Sequence, residues 1–366
     1  MEVGAIVVVE AESDKFDSAL SPQSGNERLG GSSGLLSEPI EFVELLGRSL
    51  VERAVEQFTG ANIKSTLVLH RDILGLTPQF RRVPDDLDVY IADDIWSAIV
   101  SVLEAYASNG IDCAFLARPS AYSEASAADL LNFHCEGAQT VTRAADARGP
   151  LDLWVVNSSI GRQRDGGDWR NGLVTGDYLT ESYFVREYTR RITEARELRQ
   201  LVIDAFQSRC HLHPFGTQLR PGIWADSGVQ VQRGARVVGP SYLGRNCIIG
   251  EGALITRSSN IESGSHVDYG TVVEDTTVLA NTYVGMWLDV RHSLVSASRL
   301  LNLERDVLVR ISDPSLIRSN RTDERGVSKR TTASAAESSD AKDSRAEQYP
   351  LKRNVHVMNA TAEFES

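Results

Sequence analysis

Broken every six positions, residues 225–279 read ADSGVQ VQRGAR VVGPSY LGRNCI IGEGAL ITRSSN IESGSH VDYGTV VEDTTV L. Each strip opens on an aliphatic or small residue: Ala225, Val231, Val237, Leu243, Ile249, Ile255, Ile261, Val267, Val273 and Leu279. Three positions later come Gly228, Gly234, Asn246, Gly252, Gly264 and Gly270, residues that tolerate the backbone angles of a sharp bend. One strip supplies a short strand and a bend, and three strips close a triangular coil of roughly 18 residues whose repeated aliphatics stack inside. Ordinary antiparallel strands with polar turns would not keep so fixed a period. The stretch therefore predicts a left-handed parallel β-helix of hexapeptide repeats over residues 223–317. Ile255 and Ile261 are expected inside it, Glu251 and Glu262 outside. The register is expected to break after Leu279, at Tyr283-Val284-Gly285-Met286-Trp287, with one or two irregular coils following. Val229, Ile248, Leu254, Val272 and Val278 fall outside the inward phase. As a contiguous apolar patch they predict a homo-oligomer, dimer or trimer, formed through the coil.

Upstream, residues 1–193 alternate helix and strand signals. Ser49-Leu50-Val51-Glu52 is a capping box, followed by Ala54, Val55 and Phe58 on one face and stopped by Gly60. Further helices are predicted over 97–109 and 126–133, with strands at 5–9, 65–69, 112–117, 139–142 and 151–156. This alternation predicts an α/β sandwich, Rossmann-like, with a largely parallel sheet. A helix over 194–207, within a junction spanning 194–222, leads into the coil. After Leu316 large apolar residues nearly vanish, so residues 318–366 read as a disordered polar tail.

Composition narrows the class. No apolar run reaches the roughly 18 residues that span a bilayer. Met1 to Val9 carries Glu2 in place of a basic leader region, so no signal peptide or membrane partner is expected. Cys113, Cys135, Cys210 and Cys247 lie far apart, which argues against a zinc site or a disulfide framework and for a reducing, cytoplasmic setting. The net charge of −12 disfavours a nucleic-acid partner.

An α/β domain followed by such a coil resembles the sugar-1-phosphate nucleotidyltransferases, the enzymes that make nucleotide sugars. The resemblance runs from about Val3 to Pro314. It rests on Pro39 followed by Leu46-Gly47-Arg48-Ser49-Leu50-Val51-Glu52-Arg53, similar to the family's segment after its phosphate loop. It rests also on Asp129-Leu130-Leu131 with His134, Ala138 and Val141-Thr142. The implied chemistry is attack of a sugar phosphate on the α-phosphate of a nucleoside triphosphate, with Mg²⁺ as cofactor and nucleotides, sugar phosphates or nucleotide sugars as ligands.

The parts that this chemistry needs are replaced. Where the family has a glycine-rich phosphate loop, the first strand runs into Glu10-Ala11-Glu12-Ser13-Asp14-Lys15. Carboxylates would repel a triphosphate by on the order of a kcal/mol or more each. The lysine of the family's P-K-P motif is absent from Glu38-Pro39-Ile40. The two metal aspartates correspond to Arg118, after the strand ending at Ala117, and to Arg191, within Tyr188-Thr189-Arg190-Arg191-Ile192-Thr193. Phosphoryl transfer relies on cationic stabilisation of its charge, so these inversions predict a catalytically degenerate domain with no metal.

Gly30, Gly31 and Gly34 are candidates for a displaced phosphate loop, although they sit some twenty residues beyond the strand, as a flexible linker would. Asp85, Asp86, Asp88, Asp93 and Asp94 could bind a cation, or serve as a solvated loop and a helix cap. Sugar acyltransferases also use hexapeptide coils, with a histidine as general base. His292, beside Asp289 and Arg291, and His266 are the candidates for that alternative; His211 and His213 suggest a domain junction. The reading is a degenerate nucleotidyltransferase-like protein of nucleotide-sugar or surface-polysaccharide metabolism, with a binding, scaffolding or regulatory role. An active transferase with unorthodox ligands and an acyltransferase are the alternatives.

Overall fold

The computed structural model describes residues 2–10, 35–36, 39–61, 63–70, 87–137, 139–162, 172–173, 179–320 and 355–357. The first strand, β1 (Glu2–Val9), is apolar on both faces because it lies at the centre of a sheet covered on both sides. Ala5, Val7 and Val9 enter one core and Ile6 and Val8 the other, as the two-residue period of a strand requires. Helix α1 (Leu50–Gly60) packs on the first core and α2 (Ile95–Ser108) on the second. Strands β2 (Lys64–His70), β3 (Asp88–Ala92) and β4 (Ile111–Ala117) run parallel to β1. β5 (Ala121–Ser123) lies apart, and α3 (Ala127–Glu136) follows it. β6 (Val141–Asp146), β7 (Gly149–Asn157) and β8 (Leu179–Phe184) complete the order β3-β2-β1-β4-β7-β6-β8. β7 is antiparallel to both neighbours and the remaining pairings are parallel, so the sheet is mixed: largely parallel, as expected, with one antiparallel strand. The physical reason is local. β6 and β7 are joined by a tight turn at Ala147-Arg148, which permits only an antiparallel return.

Helix starts follow their caps. Glu52 N donates to Ser49 Oγ at 3.2 Å and Ser49 N to Glu52 Oε2 at 2.8 Å, closing the capping box. Asp94 caps α2 by accepting from Trp96 N and Ser97 N, which starts that helix earlier than residue 97. Ser126 caps α3. β9 (Thr189–Arg191) pairs antiparallel with β5 and leads into α4 (Ala195–Phe206).

From Ile223 the chain forms a three-faced coil of short parallel strands, compatible with a β-helix. Ala225 pairs with Leu243 and Leu243 with Ile261; Val231 pairs with Ile249, and Val237 with Ile255, each 18 residues on. Ile249, Ile255, Ile261, Val267 and Val273 are fully buried. Corner residues take left-handed backbone; a Cβ on Gly228, at φ 73°, would fall 2.1 Å from Asn246 Oδ1.

The register slips one strip earlier than expected. Ile261 pairs with Val278, 17 residues on, and Val267 with Val284 and Val273 with Val290 keep that interval. Val278 thus takes the inward place assigned to Leu279, and Leu279 turns outward into the cluster around α4. The six-residue spacing then resumes through Val278, Val284 and Val290, where a break was expected. A second inward column, two positions before the first, holds Ser259, Ser265, Thr271 and Thr276, all buried. Their hydroxyls bond the next coil: Ser265 Oγ donates to Leu279 O at 2.9 Å and Thr282 N donates to Ser265 Oγ at 3.2 Å.

Two further expectations are corrected. The apolar patch is smaller than expected: Val278 is core, Val229 packs against the core, and Ile248, Leu254 and Val272 are half-buried, the last two as neighbours on one face. Part of the tail is paired backbone. Ile317–Ser319 runs antiparallel to Thr282–Val284, and Val355–Val357 adds to the edge of β3. Among the described residues no helix is long and apolar enough to cross a membrane, and all four cysteines are free thiols.

Replacing Ile255 or Ile261 with Asp puts an unpaired carboxylate in the dry interior and is expected to cost several kcal/mol, unfolding the coil. Glu251→Ala, on an exposed corner, is expected to change stability by no more than about 0.5 kcal/mol. Urea denaturation followed by circular dichroism distinguishes them, and equal tolerance at all three positions would contradict the register.

Candidate functional site

In an open α/β sheet, ligands bind beyond the carboxyl ends of the strands where neighbouring strands connect in opposite directions. Here that point lies between β1 and β4, and the residues just past their ends are Glu10 and Arg118. They face each other: Arg118 Nη2 lies 3.3 Å from Glu10 Oε2, with Glu10 buried. Arg118 Nη1 reaches Asp152 Oδ2 at 3.6 Å, and Arg143 Nη2 reaches Asp152 Oδ1 at 3.3 Å. Arg143 also donates from Nε to Leu151 O and lies over the Trp154 ring. Burial lowers the Arg143 pKa while Asp152 opposes the shift. The cavity beneath, lined by Ala54, Phe58, Phe115, Ala117 and Leu130, holds only about 60 Å³, room for a few waters and not for a nucleotide.

The residues at this point do not fit a divalent cation. Asp152 already carries two guanidinium groups, and Arg118 brings a fixed cation to the same point. On β9, Arg191 Nη2 donates to Asp146 Oδ1 at 2.9 Å and to Gly149 O at 2.8 Å. Its neighbour Arg190 pairs with Glu197 and Asp204. Among the described residues no group of three or more His, Cys, Asp or Glu side chains could hold a metal. Gly30, Gly31, Gly34, Glu12, Asp14, Asp85 and Asp86 lie outside the described residues. Of the other aspartates, Asp88 pairs with Lys64, Asp93 is exposed and Asp94 caps α2.

A second site lies where α4 meets the coil. His292 occupies a corner at φ 46°, one coil after Asp275, and its Nδ1 lies 2.7 Å from Asp275 Oδ2. The other Asp275 oxygen accepts from Arg199 Nη2, and Arg199, buried on α4, also donates from Nη1 to Ser258 O at 2.7 Å. A carboxylate can only accept, so Nδ1 carries a proton and Nε2 is the ring nitrogen left to face other groups. His292 is 38% exposed and lines a cleft of about 440 Å³ with Arg190, Arg196, Arg199, Gln200 and Glu304. The arrangement can accept a proton from a hydroxyl or amine while arginines stabilise the charge that develops.

His266 sits elsewhere, edge-on to Tyr283 with ring centroids 5.4 Å apart, and burial lowers its pKa. His211 pairs with Glu124 at 2.9 Å and His213 is exposed, so the Cys210–His213 segment gathers no ligand set.

Sequence reasoning missed Glu262. Expected to be exposed and dispensable, it is fully buried, because the segment before α1 closes over that face of the coil. Its Oε1 accepts from Leu46 N at 2.7 Å and Asn260 Nδ2 at 2.6 Å, and its Oε2 from Gly47 N at 3.1 Å. Leu46 and Gly47 both have positive φ, 53° and 87°, so their successive amides form a small anion-binding concavity. A Cβ on Gly47 would meet the Tyr242 hydroxyl at 2.2 Å. Burial, then nearby Glu44, pushes the Glu262 carboxyl up to about 8, against the pull of its three donors.

No protein-family model matches the chain, and no curated protein matches it in sequence.

Glu262→Ala strands the Leu46 and Gly47 amides and is expected to cost about 2–4 kcal/mol. Because the folded carboxyl holds its proton from about 4.5 to about 8 while the unfolded one releases it, stability is expected to fall as pH rises through that window. The slope from this group cannot exceed about 1.4 kcal/mol per pH unit. Thermal melts across the window check both statements, and Glu262→Gln, which does not titrate, is expected to flatten the slope.

Proposed function

We propose that this chain is a nucleotidyltransferase-like protein whose phosphoryl-transfer site is closed, acting by binding, scaffolding or regulation in nucleotide-sugar or surface-polysaccharide metabolism. On this reading the mixed sheet is the nucleotidyltransferase sandwich and the coil a left-handed hexapeptide β-helix. The observation that supports it is the Glu10–Arg118 pair. A triphosphate needs amide donors and cations at the end of β1, and a metal needs carboxylates at the end of β4. Both signs are reversed, and each reversed residue is the other's partner. A nucleotide entering there would have to separate a buried ion pair, and breaking such a pair costs about 3–5 kcal/mol. The ligands of this reading are a nucleotide, a sugar phosphate or a nucleotide sugar, held without turnover.

A second reading, acyl transfer, is favoured by the His292–Asp275 hydrogen bond in the junction cleft. His292 Nε2 would take the proton of an acceptor hydroxyl or amine as that atom attacks an acyl thioester, and the thiol would leave.

The purified protein is expected to release no pyrophosphate from any nucleoside triphosphate with a sugar 1-phosphate and Mg²⁺. Turnover above roughly 1 s⁻¹, ordinary for enzymes, would overturn the first reading. A thermal-shift screen over nucleotides, sugar phosphates and nucleotide sugars is expected to give at least one stabilising ligand. Thiol release from acyl thioesters that is abolished in His292→Asn would favour the second reading.

A further inference from the structure

The coil ends in a meander. Ser293–Ser296, Arg299–Asn302 and Val307–Arg310 extend the face covered by α4 as successive antiparallel strands. The last of them is the outer member of its sheet, and among the described residues no strand lies beyond it. All four of its residues are exposed, with Val307 at 47%, Leu308 at 41% and Val309 at 43%. Ile311 N donates inward to Ser298 O. Alternation along a strand therefore turns the N–H and C=O of Leu308 and Arg310 toward the open edge. Natural edges are blunted by proline, bulges or several charges. This one is Val-Leu-Val with a single arginine.

We propose that this edge is the dimerisation surface of the protein, taken by the same strand of a second copy. An antiparallel pairing about a two-fold axis through Leu308 sets Leu308 opposite Leu308 of the second copy and Val307 opposite Val309. Asp306, the turn residue immediately before the strand at φ 55°, then adjoins Arg310 of the other copy, and the axis repeats that opposite-charge contact. The Asp306 side chain is 61% exposed and also pairs with Arg196 at the cleft, so it is open to a second cation. The opposite edge of the sheet, Thr217–Arg220, is exposed as well. Pairing one edge with the other would leave free edges and grow open chains, without the matched charges. The proposal rests on the edge alone and on no ligand.

Sedimentation of the full chain over about two decades of concentration tests it. Wild-type mass is expected to rise from 40.1 kDa to twice that value and stop. Leu308→Pro, which removes an edge donor, is expected to stay monomeric, and Arg310→Asp, which sets acid against acid, to weaken association at least about tenfold. Adding Asp306→Arg to Arg310→Asp restores opposite charges and is expected to restore the dimer. The substituted residues are exposed, and circular dichroism checks that the variants remain folded. A wild type that stays monomeric would overturn the proposal, as would mass growth beyond two copies or an Arg310→Asp variant that associates as strongly as wild type.

Discussion

One face of the coil, carrying Tyr242, Asn260, Thr277 and Leu294 in a column, is buried against α4 and the segment before α1. The rest of the chain is arranged around that contact. Leu198, Leu201 and Val202 of α4 are completely buried there, and each contributes roughly 1.5–3 kcal/mol. Hydrophobic burial of that size outweighs the cost of enclosing the Glu262 carboxyl. That carboxyl in turn ties the segment before α1 to the coil, because it accepts from the Leu46 and Gly47 amides.

The contact also creates the junction cleft. Arg199 cannot reach Asp275 unless α4 lies along the coil, and without Arg199 the Asp275 carboxylate would hold His292 alone. The geometry around His292 thus depends on domain packing as much as on the coil. The deletion of one residue in the strip after Val273 matters in the same way. It leaves Asp275 and His292 at equivalent corners 17 residues apart, where a regular coil would have set the interval at 18.

At the sheet end, Glu10, Arg118, Asp152 and Arg143 form one connected set of alternating charges. Four buried charges placed without regard to one another would leave some of them unpaired. Here each charge has an opposite neighbour, which is the arrangement a structural ion network requires. Arg190 and Arg191 follow the same rule with Glu197, Asp204 and Asp146.

The sequence by itself determined the coil, the helix caps and the charged residues at the ends of the first strands. These are local properties: a six-residue period, a Ser-to-Glu spacing and a residue's sign act within one strand or one turn. Val278 in place of Leu279 escaped it, because a strip shortened by one residue leaves two adjacent aliphatics equally able to face inward. The hydroxyl column at Ser259, Ser265 and Thr271 was legible only as small polar residues. Its role appears once the next coil supplies the partner atoms. The tertiary structure alone decided Glu262 and the Arg199–Asp275–His292 set. The backbone partners of Glu262 lie 215 and 216 residues away, and Arg199 lies 76 from Asp275. No spacing rule reaches that far, since such contacts are set by which faces must be kept from water.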